Sequence, residues 1–138
     1  KALPMIHWFC KAECAMSGIK FLLDTNFILG ILKSQSAVLT EISERKLSIA
    51  ECGYSAITRM ELLGFPGISR EEESLIRQKL ERLTYLPLTR AIEDIVISLR
   101  QARKIKLPDA MIAATALCAG AELLTLDKHL QSVVQMNN

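Results

Sequence analysis

Two short apolar runs, each stopped by an aspartate, constrain this chain most: Ile19-Lys20-Phe21-Leu22-Leu23 ends at Asp24, and Glu122-Leu123-Leu124-Thr125-Leu126 ends at Asp127. In the first run the apolar residues are adjacent rather than alternating, which suits a strand buried on both faces, as in a parallel sheet. Parallel strands need crossovers of a dozen or more residues, and these are usually helical. The stretches between the two runs carry that helical pattern.

Apolar residues at helical spacing predict short helices over Phe27–Lys33 and Ala37–Glu44, with Ser36 expected to cap the second. Tyr54–Ile57 reads as a brief strand. The next helix, Thr58–Leu63, is stopped by Gly64, Pro66 and Gly67. Ser69 with Glu72 forms a capping-box pattern, and Leu75, Ile76, Leu80 and Leu83 give the helix after it an apolar stripe. Tyr85–Leu88 reads as a strand that Pro87 confines to an edge or an end. Thr89 is expected to cap a helix over Ala91–Lys104, with Ile92, Ile95, Val96, Leu99 and Ala102 on its apolar face. Pro108 opens, and Gly120 stops, an alanine-rich helix over Ala110–Ala119 that should be buried. Lys128–Val134 closes the pattern with a terminal helix. The expected class is α/β: a short, mainly parallel central sheet flanked by helices.

With 138 residues, half of them hydrophobic, the chain is long enough for one cored domain and short for two. Met16 precedes the first strand, so residues 1–15 are expected to be an N-terminal extension or a remnant, and residues 16–138 the folded domain. Lys11 and Glu13 interrupt any apolar signal core in that extension. The longest apolar stretch, Ala110–Ala119, is about half of the roughly 20 residues a bilayer span requires. Cys10, Cys14, Cys52 and Cys118 lack the spacing of a disulfide framework, which fits a reducing, cytoplasmic setting. His7, Cys10 and Cys14 fall one ligand short of a zinc site. A net charge of +2 with a pI near 8.4 is too small for a protein that coats nucleic acid by charge alone, so any such contact must be local.

In parallel α/β sheets ligands gather beyond the carboxyl ends of the strands. Asp24 and Asp127 end strands there, Asp109 opens a helix, and Glu61 lies on a short one. Each has a structural alternative. Asp24, Asp109 and Asp127 can simply serve helix N-termini, and Glu61 can be a solvated helix face. Thr125, two residues before Asp127, shares its strand face. Several carboxylates at one edge repel one another unless a cation joins them, and magnesium or manganese takes such oxygen ligands. A cation so held can activate water and offset charge on a phosphate, so the chemistry is phosphodiester hydrolysis. A phosphatase of the haloacid dehalogenase kind also begins from an aspartate after a strand, but it needs a second acid two residues on, where Asn26 stands.

Four segments carry a family resemblance: Leu-Leu-Asp-Thr-Asn at 22–26, Ser-Ala-Ile-Thr-Arg-Met-Glu-Leu-Leu-Gly at 55–64, Pro-Asp-Ala-Met-Ile-Ala-Ala-Thr-Ala-Leu at 108–117, and Leu-Leu-Thr-Leu-Asp-Lys-His-Leu at 123–130. In order and spacing they resemble the PIN-domain nucleases, and within these the VapC-type toxins of toxin–antitoxin pairs. The resemblance implies a PIN-like three-layer sandwich and a Mg2+- or Mn2+-dependent endoribonuclease. In it Asp24 and Asp109 hold the metal, Glu61 and Asp127 complete the catalytic acids, and Thr25, Asn26 and Thr125 are supporting polar groups. It also implies a homodimer, a cognate antitoxin that covers the acidic site, and structured RNA such as transfer or ribosomal RNA as substrate. Arg59, Arg103, Lys104, Lys106, Lys128 and His129 lie near the acids in sequence and are candidate RNA contacts, with a solvated surface as their alternative. Leu126 stands where many relatives carry arginine, and the segment before Met16 has no counterpart in the motif. An inactive PIN-like module that binds RNA or protein is the alternative function.

Overall fold

A computed structural model of the chain describes residues 18–137. The expected extension over 1–15, with His7, Cys10 and Cys14, and the expected start at Met16 lie outside the described residues.

Four strands, β1 (Phe21–Leu23), β2 (Cys52–Ser55), β3 (Thr84–Leu86) and β4 (Glu122–Leu124), form one sheet in the order β3-β2-β1-β4, with every neighbouring pair parallel. The central strand β1 sets Leu22 opposite Gly53 on one side and Leu123 on the other. A bond from the Asp24 N–H to the Leu124 carbonyl carries the β1–β4 ladder one residue further, to the aspartate itself. The parallel class is as expected, and so is the edge position of β3, which stops one residue before Pro87. The second strand lies two residues earlier than the pattern suggested. Ser55 leaves the strand by capping the next helix, accepting the Thr58 N–H on its hydroxyl.

Seven α-helices among the described residues surround the sheet: α1 (Thr25–Leu32), α2 (Ser36–Arg45), α3 (Ala56–Leu63), α4 (Arg70–Glu81), α5 (Arg90–Ala102), α6 (Leu107–Ala119) and α7 (Lys128–Asn137). Because side chains alternate along a strand, Leu22 and Leu123 enter one core while Leu23 and Leu124 enter the other. The first core takes its helical residues chiefly from α5, α6 and α7, the second from α1 to α4. Helices therefore cover both faces, and three layers result. Cys118 and Cys52 are buried in these opposite cores.

Several helix ends follow the local chemistry. Thr89 caps α5 through the Ile92 N–H, Ser69 and Glu72 make a complete capping box on α4, and Gly120 ends α6 in the left-handed conformation at φ 65°. The cap expected at Ser36 is not there. Gln35 is the N-cap of α2 and makes no side-chain bond, and Ser36 is already the first helical residue. No helix among the described residues is long and apolar enough to cross a membrane.

All four strands point the same way, so Asp24, Ser55 and Thr125 emerge at one edge, the carboxyl edge of the sheet. The long α6 brings a fourth group. It ends just before β4 begins, so its opposite end, with Asp109 in its first turn, returns across about 20 Å toward the carboxyl edge.

Candidate active site

Asp24 is 4% exposed and is the one charged residue among the buried polar groups described. One carboxylate oxygen, Oδ1, accepts the Phe27 N–H at 2.7 Å and so caps α1. The other, Oδ2, accepts the hydroxyl of Thr125 from the end of β4. The capping alternative is therefore correct, and it does not exhaust the group. An ionised carboxylate offers about four lone-pair positions, of which these two bonds use half. Burial holds its pKa above the usual carboxylate value, helped by the negative charges of Asp127 and Asp109, while the bonds from Thr125 and Phe27 work the other way. Asp109 and Asp127 thus each lie close enough for their charge to act on Asp24.

Thr125 ties Asp127 to the same place. Its hydroxyl oxygen accepts the Asp127 N–H at 3.0 Å while its proton goes to Asp24. Asp127 caps α7, with Oδ1 accepting from the N–H groups of His129 and Leu130 at 3.0 and 3.1 Å. Asp127 is exposed and Asp109 half-buried.

Glu61 is joined through Thr25. The Thr25 hydroxyl donates to Glu61 Oε1 at 2.6 Å and lies 3.1 Å from the Thr58 hydroxyl, which is 3.2 Å from that of Ser55. A hydroxyl carries one proton. With Thr25 donating to Glu61, the proton between Thr25 and Thr58 must come from Thr58, and Ser55 in turn donates to Thr58. The three hydroxyls form a one-way chain ending on the Glu61 carboxylate, an arrangement in which each bond polarises the next. Ser55 and Thr58 were missed in the sequence, although Ser55, Thr58 and Glu61 recur at intervals of three, which places them along one face of one helix from its N-cap onward.

The remaining candidates are dispersed. Asn26 is exposed on the first turn of α1. Arg59 is exposed and lines a cavity of about 190 Å³ with Tyr54, Arg77 and Glu81, a lining that includes none of the four candidate acids. Lys128 and His129 are exposed in the first turn of α7, while Arg103, Lys104 and Lys106 stand between α5 and α6.

Among the described residues no three His, Cys, Asp or Glu side chains are gathered tightly enough to hold a metal ion. The donor chemistry nonetheless fits a hard divalent cation: oxygen ligands, mutual repulsion among the acids, and lone pairs still available on Asp24. Asp24 is held in orientation by its two bonds, whereas Asp109 and Asp127 sit in more open surroundings.

The fold and this edge define the class: a parallel three-layer α/β protein with coupled carboxylates where its strands end. The chain matches the family model of the PIN domain over residues 21–135, and it belongs to the PIN-domain family, a family of nucleases. Among solved structures it is similar to a toxin–antitoxin complex from Klebsiella pneumoniae, at 27% identity and a TM-score of 0.69 over 79% of this chain and 88% of that one. It is similar also to FitAcB from Neisseria gonorrhoeae, at 25% identity and a TM-score of 0.67 over 83% and 93% of the two chains. FitAB bound to a DNA fragment shares the fold at 23% identity, with a TM-score of 0.65 over 83% and 90%. No curated protein matches the chain.

Proposed function

We propose that this chain is a Mg2+- or Mn2+-dependent endoribonuclease and the toxin of a toxin–antitoxin pair, working as a cytoplasmic homodimer whose acidic edge a cognate antitoxin covers. The observation that carries the reading is Asp24: a buried carboxylate, oriented through both oxygens and coupled to Asp109 and Asp127. A buried charge raised in energy by like-charged neighbours is costly in a structural role and useful in a site that receives a cation.

Asp24 and Asp109 would hold the divalent cation, which when bound supplies a Lewis acid that lowers the pKa of water and offsets charge on the scissile phosphate. Thr125 fixes the Asp24 carboxylate and, through the Asp127 N–H, the start of α7. Glu61 has its Oε1 held by Thr25 and keeps Oε2 for a proton from the attacking water. Asp127 adds negative charge beside Asp24, and Asn26 offers an exposed amide to the substrate. Arg59, Arg103, Lys104, Lys106 and Lys128 are the proposed cationic contacts to RNA. The folded domain is taken to begin at Met16 and run to Asn138.

The open spacing of the acids favours a second reading, a PIN-like module that binds RNA or a protein partner without cleaving it. Titration with Mn2+ and cleavage of a structured RNA separate the two. The nuclease binds Mn2+ and makes internal cuts, and loses both in Asp24→Asn and Asp109→Asn. A binding module retains RNA binding with no metal-dependent cuts, and that outcome would overturn the proposal.

A further inference from the structure

Arg100, Arg103, Lys104, Ile105 and Lys106 line an open cavity of about 560 Å³ where α5 gives way to α6. Four of the five are cations, and no acid lines the cavity. Among the described residues none of the four enters an ion pair. In a chain with a net charge of only +2, this is a local concentration of uncompensated positive charge.

A second observation is independent of the first. The Nε of Arg103 is the one buried side-chain nitrogen or oxygen among the described residues that lacks a hydrogen-bond partner. A guanidinium stays charged at any ordinary pH and cannot escape the cost of a missing acceptor by losing its proton. Arg103 is half-buried and lines the cavity, so the side chain that carries this unpaired donor is one that an acceptor entering from outside the chain would meet. In a pocket lined by cations that acceptor is an anion, and the planar fork of an arginine matches a phosphate's oxygens.

The location selects among anions. Lys106 is the N-cap of α6 and Asp109 lies three residues on, in the first turn, so the lining of the cavity reaches the helix end that carries one of the acids acting on Asp24. A nucleic-acid strand laid across the acidic edge is repelled by it, and cations beside the acids offset that repulsion.

We propose that the Arg103 pocket binds a backbone phosphate of the nucleic-acid strand, one flanking the phosphate at the acidic edge; this rests on the nuclease reading of that edge. The pocket holds the strand by charge and by the Arg103 fork, and it distinguishes neither base nor sugar.

The test is binding of a labelled single-stranded RNA of about 12 nucleotides, and of the DNA of the same sequence, followed by anisotropy in EDTA across a salt series. Each phosphate contact contributes about 0.7 to the slope of log affinity against log salt for single strands. Arg103→Gln is expected to lower the slope by about 0.7, and Arg103→Gln with Lys104→Gln by about 1.4, on RNA and DNA alike. Arg103→Lys retains the slope but binds more weakly, because the charge remains and the fork is lost. With Mn2+ present, kcat/KM on RNA falls several-fold more in the double variant than kcat/KM on bis(p-nitrophenyl) phosphate, a diester with no neighbouring phosphate. Thermal unfolding confirms that each variant folds.

An unchanged slope overturns the inference and leaves the cations to an acidic protein partner. A loss confined to RNA overturns it in favour of a ribose contact, and equal losses on both diesters assign the residues to the reacting site instead. If the wild type cleaves neither substrate while the slopes fall as expected, the nuclease reading fails and the phosphate pocket stands.

Discussion

The Asp24 carboxylate accepts a backbone N–H on one oxygen and the Thr125 hydroxyl on the other, and still lies in surroundings that disfavour its charge. Its pKa in the folded protein is above that of the unfolded chain, so the folded state holds the proton more tightly. The stability that this proton confers is complete below the unfolded value, about 3.9, and is lost as pH rises through the folded one. Asp24→Asn keeps a cap acceptor and removes the charge. It is expected to raise the melting temperature at neutral pH by a few degrees, roughly 1 kcal/mol at this chain length. The gain should shrink as pH falls toward about 4, where the wild type is protonated too. Melting curves in EDTA across that range check it, and an unchanged or lower melting temperature at pH 7 contradicts it. Thr125→Val acts in the opposite sense. It strips Oδ2 of its donor, drives the Asp24 pKa further up, and should weaken Mn2+ binding by about 10- to 100-fold, as loss of a ligand's supporting hydrogen bond does; calorimetric titration reads this directly.

Among the elements, β1 and α1 carry Asp24 between them, and the seating of α1 depends on Gly30. A Cβ on Gly30 would overlap the Val38 Cγ2 on α2 and stand 3.1 Å from the Gln35 Oε1. Alanine here gains about 1 kcal/mol of helix propensity against an overpacking cost of about 1 to 3 kcal/mol. Gly30→Ala should therefore be neutral to destabilising by about 2 kcal/mol in urea unfolding, and the same change made in Val38→Ala should stabilise. Equal effects in both backgrounds would remove the close approach as its cause. The role of Gly30 was not legible in the sequence, because a glycine inside a helical pattern reads only as a weak point until the facing helix is known. The helices themselves were legible from their apolar spacing, and β1 and β4 from their adjacent apolar residues, but β4 stops at Leu124 rather than running through Leu126 to Asp127, because Thr125 turns its hydroxyl to Asp24 and to the Asp127 N–H. The second strand was displaced because Ser55, which suits a strand end and a helix cap equally, takes the cap. The hydroxyl chain from Ser55 to Glu61 was hidden for a similar reason: Thr25, which links it, comes from a helix 33 residues away from Thr58.

At the scale of the molecule, parallel topology brings Asp24 and Thr125 to one edge, and the return of α6 carries Asp109 toward it. That much could be read in advance, because parallel strands share their carboxyl ends and α6 must run back to begin β4. The spacing of the carboxylates could not, since it depends on side-chain bonds such as Thr125 to Asp24 and Thr25 to Glu61. Those bonds orient Asp24 and Glu61, and among the described residues no three acids are gathered tightly enough to hold a metal ion; on the proposed reading, a cation bound there would have to draw Asp109 toward the fixed Asp24. A ligand that binds only the folded chain stabilises it by about 2.7 kcal/mol at 100 times its dissociation constant, which at this length is roughly 8 to 10 °C in melting temperature. Saturating Mn2+ should produce a shift of that order in the wild type and little or none in Asp24→Asn. Protons compete with the metal for Asp24, so the Mn2+-induced shift should fall as the solution is acidified through the raised pKa of that group. Melting curves with and without Mn2+, at several pH values and for both proteins, test this together. A shift that survives Asp24→Asn, or that is flat with pH, would place the metal somewhere other than the carboxyl edge of the sheet.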